Sequence, residues 1–214
     1  MQAHAERFRK ITTDWDIVER QLKQAELLQG EVVIAAVNEL RYAGRRLADA
    51  HHYGTVDPEV IGKTEDELSA LVVVALTDTE QYCQRAHHDA VDSQIFFLGG
   101  YIDLLEARVG PETLVVAIPH YLQKRRVLQD ISKIIVESRG DRQNRASYYQ
   151  QVAEDLLPDL LDLYWTLKSS EAIVFKMKRR GQIMFWSGIA GWALAIPSMY
   201  IAVSQFYRWF PFGP

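Results

Sequence analysis

The chain has 214 residues, of which 48% are hydrophobic and 24% are charged, and its net charge is -4. This composition is typical of a folded globular protein, and the length fits one domain plus an appendage. The mildly acidic balance excludes the overall basic character of nucleic-acid binders. Cys83 is the one cysteine, so the fold requires no disulfide and no oxidising compartment. The N-terminal residues lack the apolar stretch of a secretory signal, so targeting is expected to depend on another segment.

The first part of the chain is predicted to form two helices joined by a glycine turn. The sequence of residues 14–29 indicates a short helix that ends at Gly30. From residue 31 to residue 52, apolar side chains recur at helical spacing on one face, and charged side chains fall away from it. The segment 55–63 contains proline and glycine and is predicted to be a loop.

A long helix is predicted to begin at a capping box. Thr64 is followed three residues later by Glu67, so each side chain can bond the backbone N–H of the other residue. Apolar residues then keep one helical face as far as Val109, a length of about 68 Å if the helix is unbroken. Because this is long for a globular helix, a bend or break is expected near Gly99-Gly100.

Three signals divide the next part of the chain. Gly110-Pro111 is a turn, and the helix that follows is expected to be kinked or restarted at Pro119. That helix is predicted to end at residues 139–141. A last helix begins near Asn144, contains a proline, and continues toward the C-terminus.

The predicted fold class is all-α, an antiparallel helical bundle with a single C-terminal transmembrane helix. No segment alternates between apolar and polar residues between hairpin turns, so no strand is predicted. The expected domains are a cytosolic helical bundle in residues 1–180, a transmembrane helix in residues 181–206, and a short aromatic tail on the far side in residues 207–214.

The transmembrane prediction depends on an uncharged stretch. Residues 183–203 contain no charged side chain, and as a helix they cover about 30 Å, the hydrocarbon thickness of a bilayer. A basic cluster lies at residues 176–180, and Arg208 is the one basic residue after the stretch. Because basic residues concentrate on the cytoplasmic side, we expect a single-pass membrane protein with its N-terminal domain in the cytoplasm.

One face of the predicted span is made of small residues. They are Ser187, Gly191, Ala195, Ser198 and Ala202. Their spacing of three or four places them on one side of a helix, where small side chains let another membrane helix approach closely. The pattern favours a homo-oligomer or a membrane-protein partner. The composition of membrane helices, in which glycine and alanine are common, is the other explanation.

The one candidate for catalysis lies in the sequence RRLADAHH, residues 45–52. Arg46 precedes His51 with four residues between them, and this pair resembles the motif of the HEPN-type ribonucleases, which are small helical bundles. The resemblance implies that His51 moves a proton of the ribose 2′-hydroxyl while Arg46 holds the phosphate. Leu47 follows Arg46 where that family usually has a polar residue. The alternative is that His51 closes the apolar face of its helix and Arg46 is solvated.

No metal site or cofactor is predicted. His87-His88 have Asp92 at helical spacing, but no glutamate has a histidine three residues after it, as a ferritin-like di-iron site requires. Helix-packing histidines are therefore the preferred interpretation. Cys83 falls on the apolar face of its helix and is expected to be a core residue.

The leading functional hypothesis is a membrane-anchored interaction or effector protein that acts by oligomerising or by binding a membrane partner. The expected partners are the lipid bilayer and either further copies of the chain or another membrane protein. The alternative is a membrane-tethered ribonuclease that uses Arg46 and His51, and nucleic acid is a partner only in that case. A third possibility is that the bundle senses a small ligand.

Overall fold

The computed structural model describes the backbone of residues 4–209 and the side chains of residues 4–187 and 189. All secondary structure in this part of the chain is helical, which confirms the all-α class. The helices are α1 (Ala5–Gln29), α2 (Ile34–Thr55), α3 (Pro58–Ile61), α4 (Glu65–Val109), α5 (Pro111–Ala117), α6 (Tyr121–Gly140), α7 (Arg145–Gln151) and α8 (Leu157–Trp209). A π-helical turn at Val152–Leu156 joins α7 to α8.

Several helix ends lie where the sequence predicts them. Gly30 follows α1 in the left-handed conformation, with a φ of 74°, and its N–H donates to the carbonyl of Glu26 at 2.8 Å. Ahead of α4, the N–H of Thr64 donates to the carboxylate of Glu67 at 2.8 Å, and the N–H of Glu67 donates to the Thr64 hydroxyl at 3.2 Å. Both bonds of the capping box are present, so the start of α4 has partners for N–H groups that a helix alone leaves unpaired.

The sequence predicts a bend or break in α4 near Gly99-Gly100. Helix α4 is one continuous helix of 45 residues, so it is not broken there, and the bend stays a prediction. A Cβ atom built on Gly99 would lie 3.4 Å from the Cδ2 atom of Leu128 on α6. Glycine at this position therefore lets α6 pack closely against α4. Its weak helix propensity, about 1 kcal/mol less favourable than that of alanine, is outweighed by these tertiary contacts.

The first helix begins earlier than the sequence predicts, at Ala5 and not at residue 14. Ile11 is fully buried against residues of α2 and α4. Arg7 donates from Nε and from Nη2 to the two carboxylate oxygens of Glu80, each at 2.8 Å, and the bond to Arg7 lowers the pKa of Glu80. Paired hydrogen bonds of this kind are strong, so they hold the first turns of α1 beside α4.

Helices α1, α2 and α4 share a core that is rich in alanine. Its buried members are Val18, Leu22, Ala25, Val33, Ala36, Leu40, Ala43, Cys83, Ala86 and Ala90. Small side chains let the helices approach closely. Cys83 is one of these buried residues, which confirms the prediction that it belongs to the core.

Two pairs of helices in the first compact part of the chain run antiparallel. The turn at Gly30 reverses the chain between α1 and α2, whose buried residues share one core. On another side of α4, Arg125 of α6 pairs with Asp103 at 2.8 Å, and Leu128 lies beside Gly99. The higher residue number on α6 contacts the lower residue number on α4, so these two helices are also antiparallel.

The π-helical turn before α8 is explained by a proline. The N–H of Leu157 donates to the carbonyl of Val152, which is one residue further back than in an α-helix. Pro158 follows at once, has no N–H, and would bring its ring against the carbonyl of Glu154 in a regular α-helix. The wider turn lets the chain continue as a helix past the proline.

The chain divides into two compact units. They are Met1–Asp103 with Leu122–Tyr164, and Leu104–Tyr121 with Trp165–Pro214. Within the second unit, the hydroxyl of Tyr121 donates to the carboxylate of Glu106 at 2.6 Å, and the ammonium of Lys178 donates to the carbonyl of Arg108. The division predicted from the sequence, with boundaries after residues 180 and 206, stays a prediction.

Among the residues that the structure describes, no helix has an apolar stretch of the length needed to cross a membrane. The predicted span, 183–203, lies on α8, but most of its side chains are outside the described residues. The transmembrane helix therefore stays a prediction, as does the aromatic tail, of which residues 210–214 are not described.

Candidate functional site

Arg46 and His51, the predicted catalytic pair, both lie on α2 and are exposed. Residues five apart on an α-helix differ by about 140° around the axis, so the two side chains leave the helix in different directions. Arg46 pairs with Asp49 at 3.4 Å and with Asp78 of α4 at 3.3 Å. The structure therefore places Arg46 in an ion-pair network on the surface and does not bring it together with His51.

A cavity of about 260 Å³ lies among α1, α4 and the segment formed by α7 and the π-helical turn. Its apolar wall includes Ile17, Val18 and Cys83, and its polar wall includes His87 and His88 of α4. All of these residues belong to the first compact unit. Sequence reasoning missed this cavity, because it assigned the two histidines to ordinary helix packing.

His88 lies between the cavity and a buried cluster of polar groups. Its ring lies over that of Tyr149, with 4.0 Å between the ring centroids. The hydroxyl of Tyr149 is within hydrogen-bond distance of both carboxylate oxygens of Asp92, at 3.0 and 2.9 Å. The guanidinium of Arg145 lies 5.7 Å from the centre of the Tyr149 ring. Helices α4 and α7 are thus joined in two ways: the ring of Tyr149 stacks on that of His88, and its hydroxyl contacts the carboxylate of Asp92.

Burial shifts the pKa values of two members of this cluster in opposite directions. Burial, followed by the positive charges of Arg145 and His87, lowers the pKa of His88 to about 4. Burial also raises the pKa of Asp92, and the hydrogen bond from Tyr149 partly offsets this change. At neutral pH the His88 ring is therefore uncharged. Groups with displaced pKa values beside a cavity are typical of functional sites.

Three buried polar atoms in this region have no hydrogen-bond partner among the described residues. They are Oε2 of Glu39, Nε2 of His88 and Nε of Arg145. Buried polar atoms are nearly always paired in folded proteins, so such atoms mark places where a ligand or ordered water can bind. Of the three residues, His88 lines the cavity.

Replacing His88 with phenylalanine is expected to make the protein less sensitive to acid. The pKa of His88 is about 4 in the fold against 6.5 in the unfolded chain, so only the unfolded state binds this proton in that interval. Stability is therefore lost as the pH falls from 6.5 toward 4. The expected loss is about 2 kcal/mol, after allowance for partial exposure.

The measurement is the free energy of unfolding by urea at pH 7 and pH 4.5. The His88→Phe chain keeps a ring against Tyr149, and between the two pH values it should lose about 2 kcal/mol less than the unchanged protein. His51→Phe, at an exposed position of α2, serves as the control. Parallel pH dependence of His88→Phe and the unchanged protein would contradict the role given to His88.

The C-terminal part of α8 forms a second candidate site. Ile183, Met184, Phe185 and Trp186 are between 59% and 72% exposed. Successive residues of an α-helix lie about 100° apart, so these four cover the whole circumference. Contiguous apolar side chains on every side of a helix are unusual for a surface in contact with water.

Of the predicted small-residue face, the structure describes one side chain. Ser187 is exposed, and its hydroxyl donates to the carbonyl of Met184 at 2.9 Å. Residues 191, 195, 198 and 202 lie on α8, but their side chains are outside the described residues. Packing along this face therefore stays a prediction.

Comparison with protein-family models, with curated proteins and with solved structures finds no match. Among the residues that the structure describes, no group of three or more histidine, cysteine, aspartate or glutamate side chains is arranged to hold a metal ion.

Proposed function

We propose that this chain is a membrane-anchored helical protein that acts by self-association or by binding a membrane partner. The observation that carries the proposal is the exposure, around the full circumference of α8, of four apolar side chains at 183–186. Water is a poor solvent for such a surface, whereas a bilayer is a good one. The uncharged sequence that follows supports the same conclusion.

The proposed orientation places the helical bundle in the cytoplasm. Lys176, Arg179 and Arg180 are exposed or half-exposed on the last turns of α8 before the apolar segment. Basic side chains at this position interact with the headgroups of the cytoplasmic leaflet and oppose translocation. The bundle would then act from a fixed place at the membrane surface, where tethering raises its effective concentration for a partner.

Assembly through the small-residue face is tested by Gly191→Leu in the full chain expressed in membranes. A leucine at this position prevents close approach of a second helix, so the crosslinked dimer should decrease about fivefold, which corresponds to roughly 1 kcal/mol of helix association. The matched control is Ala193→Leu, which lies about 200° away around the helix and enlarges the opposite face. Equal crosslinking of both variants and the unchanged protein would remove the small-residue face from the proposal.

The alternative of a membrane-tethered ribonuclease with Arg46 and His51 remains a prediction from the sequence. The ion pairs of Arg46 with Asp49 and Asp78 occupy the side chain that the resemblance assigns to phosphate. We therefore prefer the interaction protein, for which the exposure of α8 is an independent observation.

A further inference from the structure

The cavity among α1, α4 and α7 contains one charged group without a partner of opposite charge. The ammonium of Lys10, at the rim on α1, pairs with the carboxylate of Asp14 at 2.6 Å. Glu154, which is exposed in the π-helical turn, accepts a hydrogen bond from the amide of Gln150 at 3.0 Å. Among the described residues, no cation pairs with Glu154. Its negative charge is thus left to attract a ligand.

The two histidines on the cavity wall do not neutralise this carboxylate at pH 7. Burial lowers the pKa of His87, although the charge of Glu154 partly opposes the change, and the pKa of His88 is about 4. Both rings are therefore neutral and each can accept a hydrogen bond at one nitrogen. Nε2 of His88 has no partner among the described residues, but it is fully buried and does not open onto the cavity.

The remaining wall is apolar and the volume is small. Ile17, Val18 and Ala153 provide the apolar surface, and the volume of about 260 Å³ lies just below the usual range for ligand pockets, about 300–1,000 Å³. Because apolar side chains line the cavity beside the carboxylate, the cation that such a wall favours is an organic one. A flat apolar body would fill the cavity while a charged head reaches Glu154.

We propose that this cavity binds a small organic cation, an amine or amidine on a compact apolar body, with Glu154 as the residue that pairs with the positive charge. The rings of His87 and His88 then contact the body of the ligand, and the apolar side chains cover the rest of it. The site lies in the first compact unit and is independent of the proposed membrane function.

The test compares three molecules of the same shape that differ in charge. Benzamidine is a cation at pH 7, benzamide is neutral, and benzoate is an anion. Titration calorimetry with the full-length detergent-solubilised protein should show benzamidine binding at least about tenfold more tightly than either of the other two. Equal affinities for benzamidine and benzoate, or no heat from benzamidine at millimolar concentration, would overturn the proposal.

Two variants locate the binding. Glu154→Gln removes the charge with little change in size and should weaken benzamidine binding at least about fivefold while leaving benzamide unchanged. Ala146→Leu places a larger side chain in the cavity wall and should abolish binding of benzamidine. Asp159→Asn, an exposed carboxylate on α8 outside the cavity, is the matched control and should bind benzamidine as the unchanged protein does.

Circular dichroism of each variant separates loss of the fold from loss of binding. If Ala146→Leu does not fold, Glu154→Gln still decides the outcome. Benzamidine binding that is as tight in a folded Glu154→Gln as in the unchanged protein would place the cation elsewhere and overturn the assignment.

Discussion

Arginine substituted for both Leu194 and Ile196 is expected to release the protein from membranes. Both positions lie near the centre of the uncharged stretch 183–203, where each arginine opposes insertion into a bilayer by about 3 kcal/mol. A leucine or isoleucine contributes only about 0.5 kcal/mol in favour of insertion, so the two charges outweigh the neighbouring apolar residues. The fraction of protein that stays with membranes after an alkaline wash should fall about tenfold or more.

The control introduces the same number of arginines at exposed positions outside the uncharged stretch. Val116→Arg and Val136→Arg add equal charge at side chains that are 74% and 65% exposed, and they should leave the membrane fraction unchanged. Flotation through a density gradient distinguishes protein in lipid from aggregated protein. The anchor would be contradicted if the unchanged protein remained in the supernatant without detergent. It would also be contradicted if the unchanged protein floated with lipid and the variant with arginine at positions 194 and 196 floated equally well.

Local signals in the sequence were sufficient for most helix ends. Gly30 ends α1 because a left-handed residue closes a helix with little strain when it is glycine, and this requirement is visible in the chain itself. The capping box of Thr64 and Glu67 likewise depends on two residues three apart. Both predictions are confirmed because the interactions that decide them are close in sequence.

Features that depend on contacts distant in sequence were not predicted. Gly99 is compatible with a break or with close helix packing, and only the position of Leu128, on another helix, decides between them. The early start of α1 has a similar origin, because Arg7 finds its partner Glu80 on α4. Local preference is weak in such places and tertiary packing outweighs it.

The candidate cavity was only partly visible in the sequence. Helical spacing brings His88 and Asp92 to one face of α4, which the sequence shows. Tyr149, which does not line the cavity, comes from α7 and contacts His88 by ring stacking and Asp92 by its hydroxyl. Glu154 enters the cavity wall in the π-helical turn that Pro158 imposes, and no pattern in the sequence predicts that turn. The site is therefore defined by contacts between helices that no local pattern in the sequence predicts.

Leu76→Ala is expected to lower the free energy of unfolding by about 4 kcal/mol. Leu76 is fully buried on α4, in a cluster where Ile11 comes from α1 and Ala50 from α2. The neighbours on α4 include Ala75, and rigid helices with such small side chains can move little to fill the space that is lost. The removed methyl groups therefore leave a cavity, and the effect lies in the upper part of the range for leucine.

The matched control is Val74→Ala on the same helix, two residues away and 57% exposed, which should change the free energy of unfolding by less than about 0.5 kcal/mol. Urea titration of the full chain in detergent, followed by circular dichroism, measures both variants. A Leu76→Ala effect near 1 kcal/mol would show that α1 and α2 close over the vacated volume. In that case the bidentate pair of Arg7 with Glu80 would not hold α1 firmly beside α4. The wall that α1 contributes to the cavity would then be able to move.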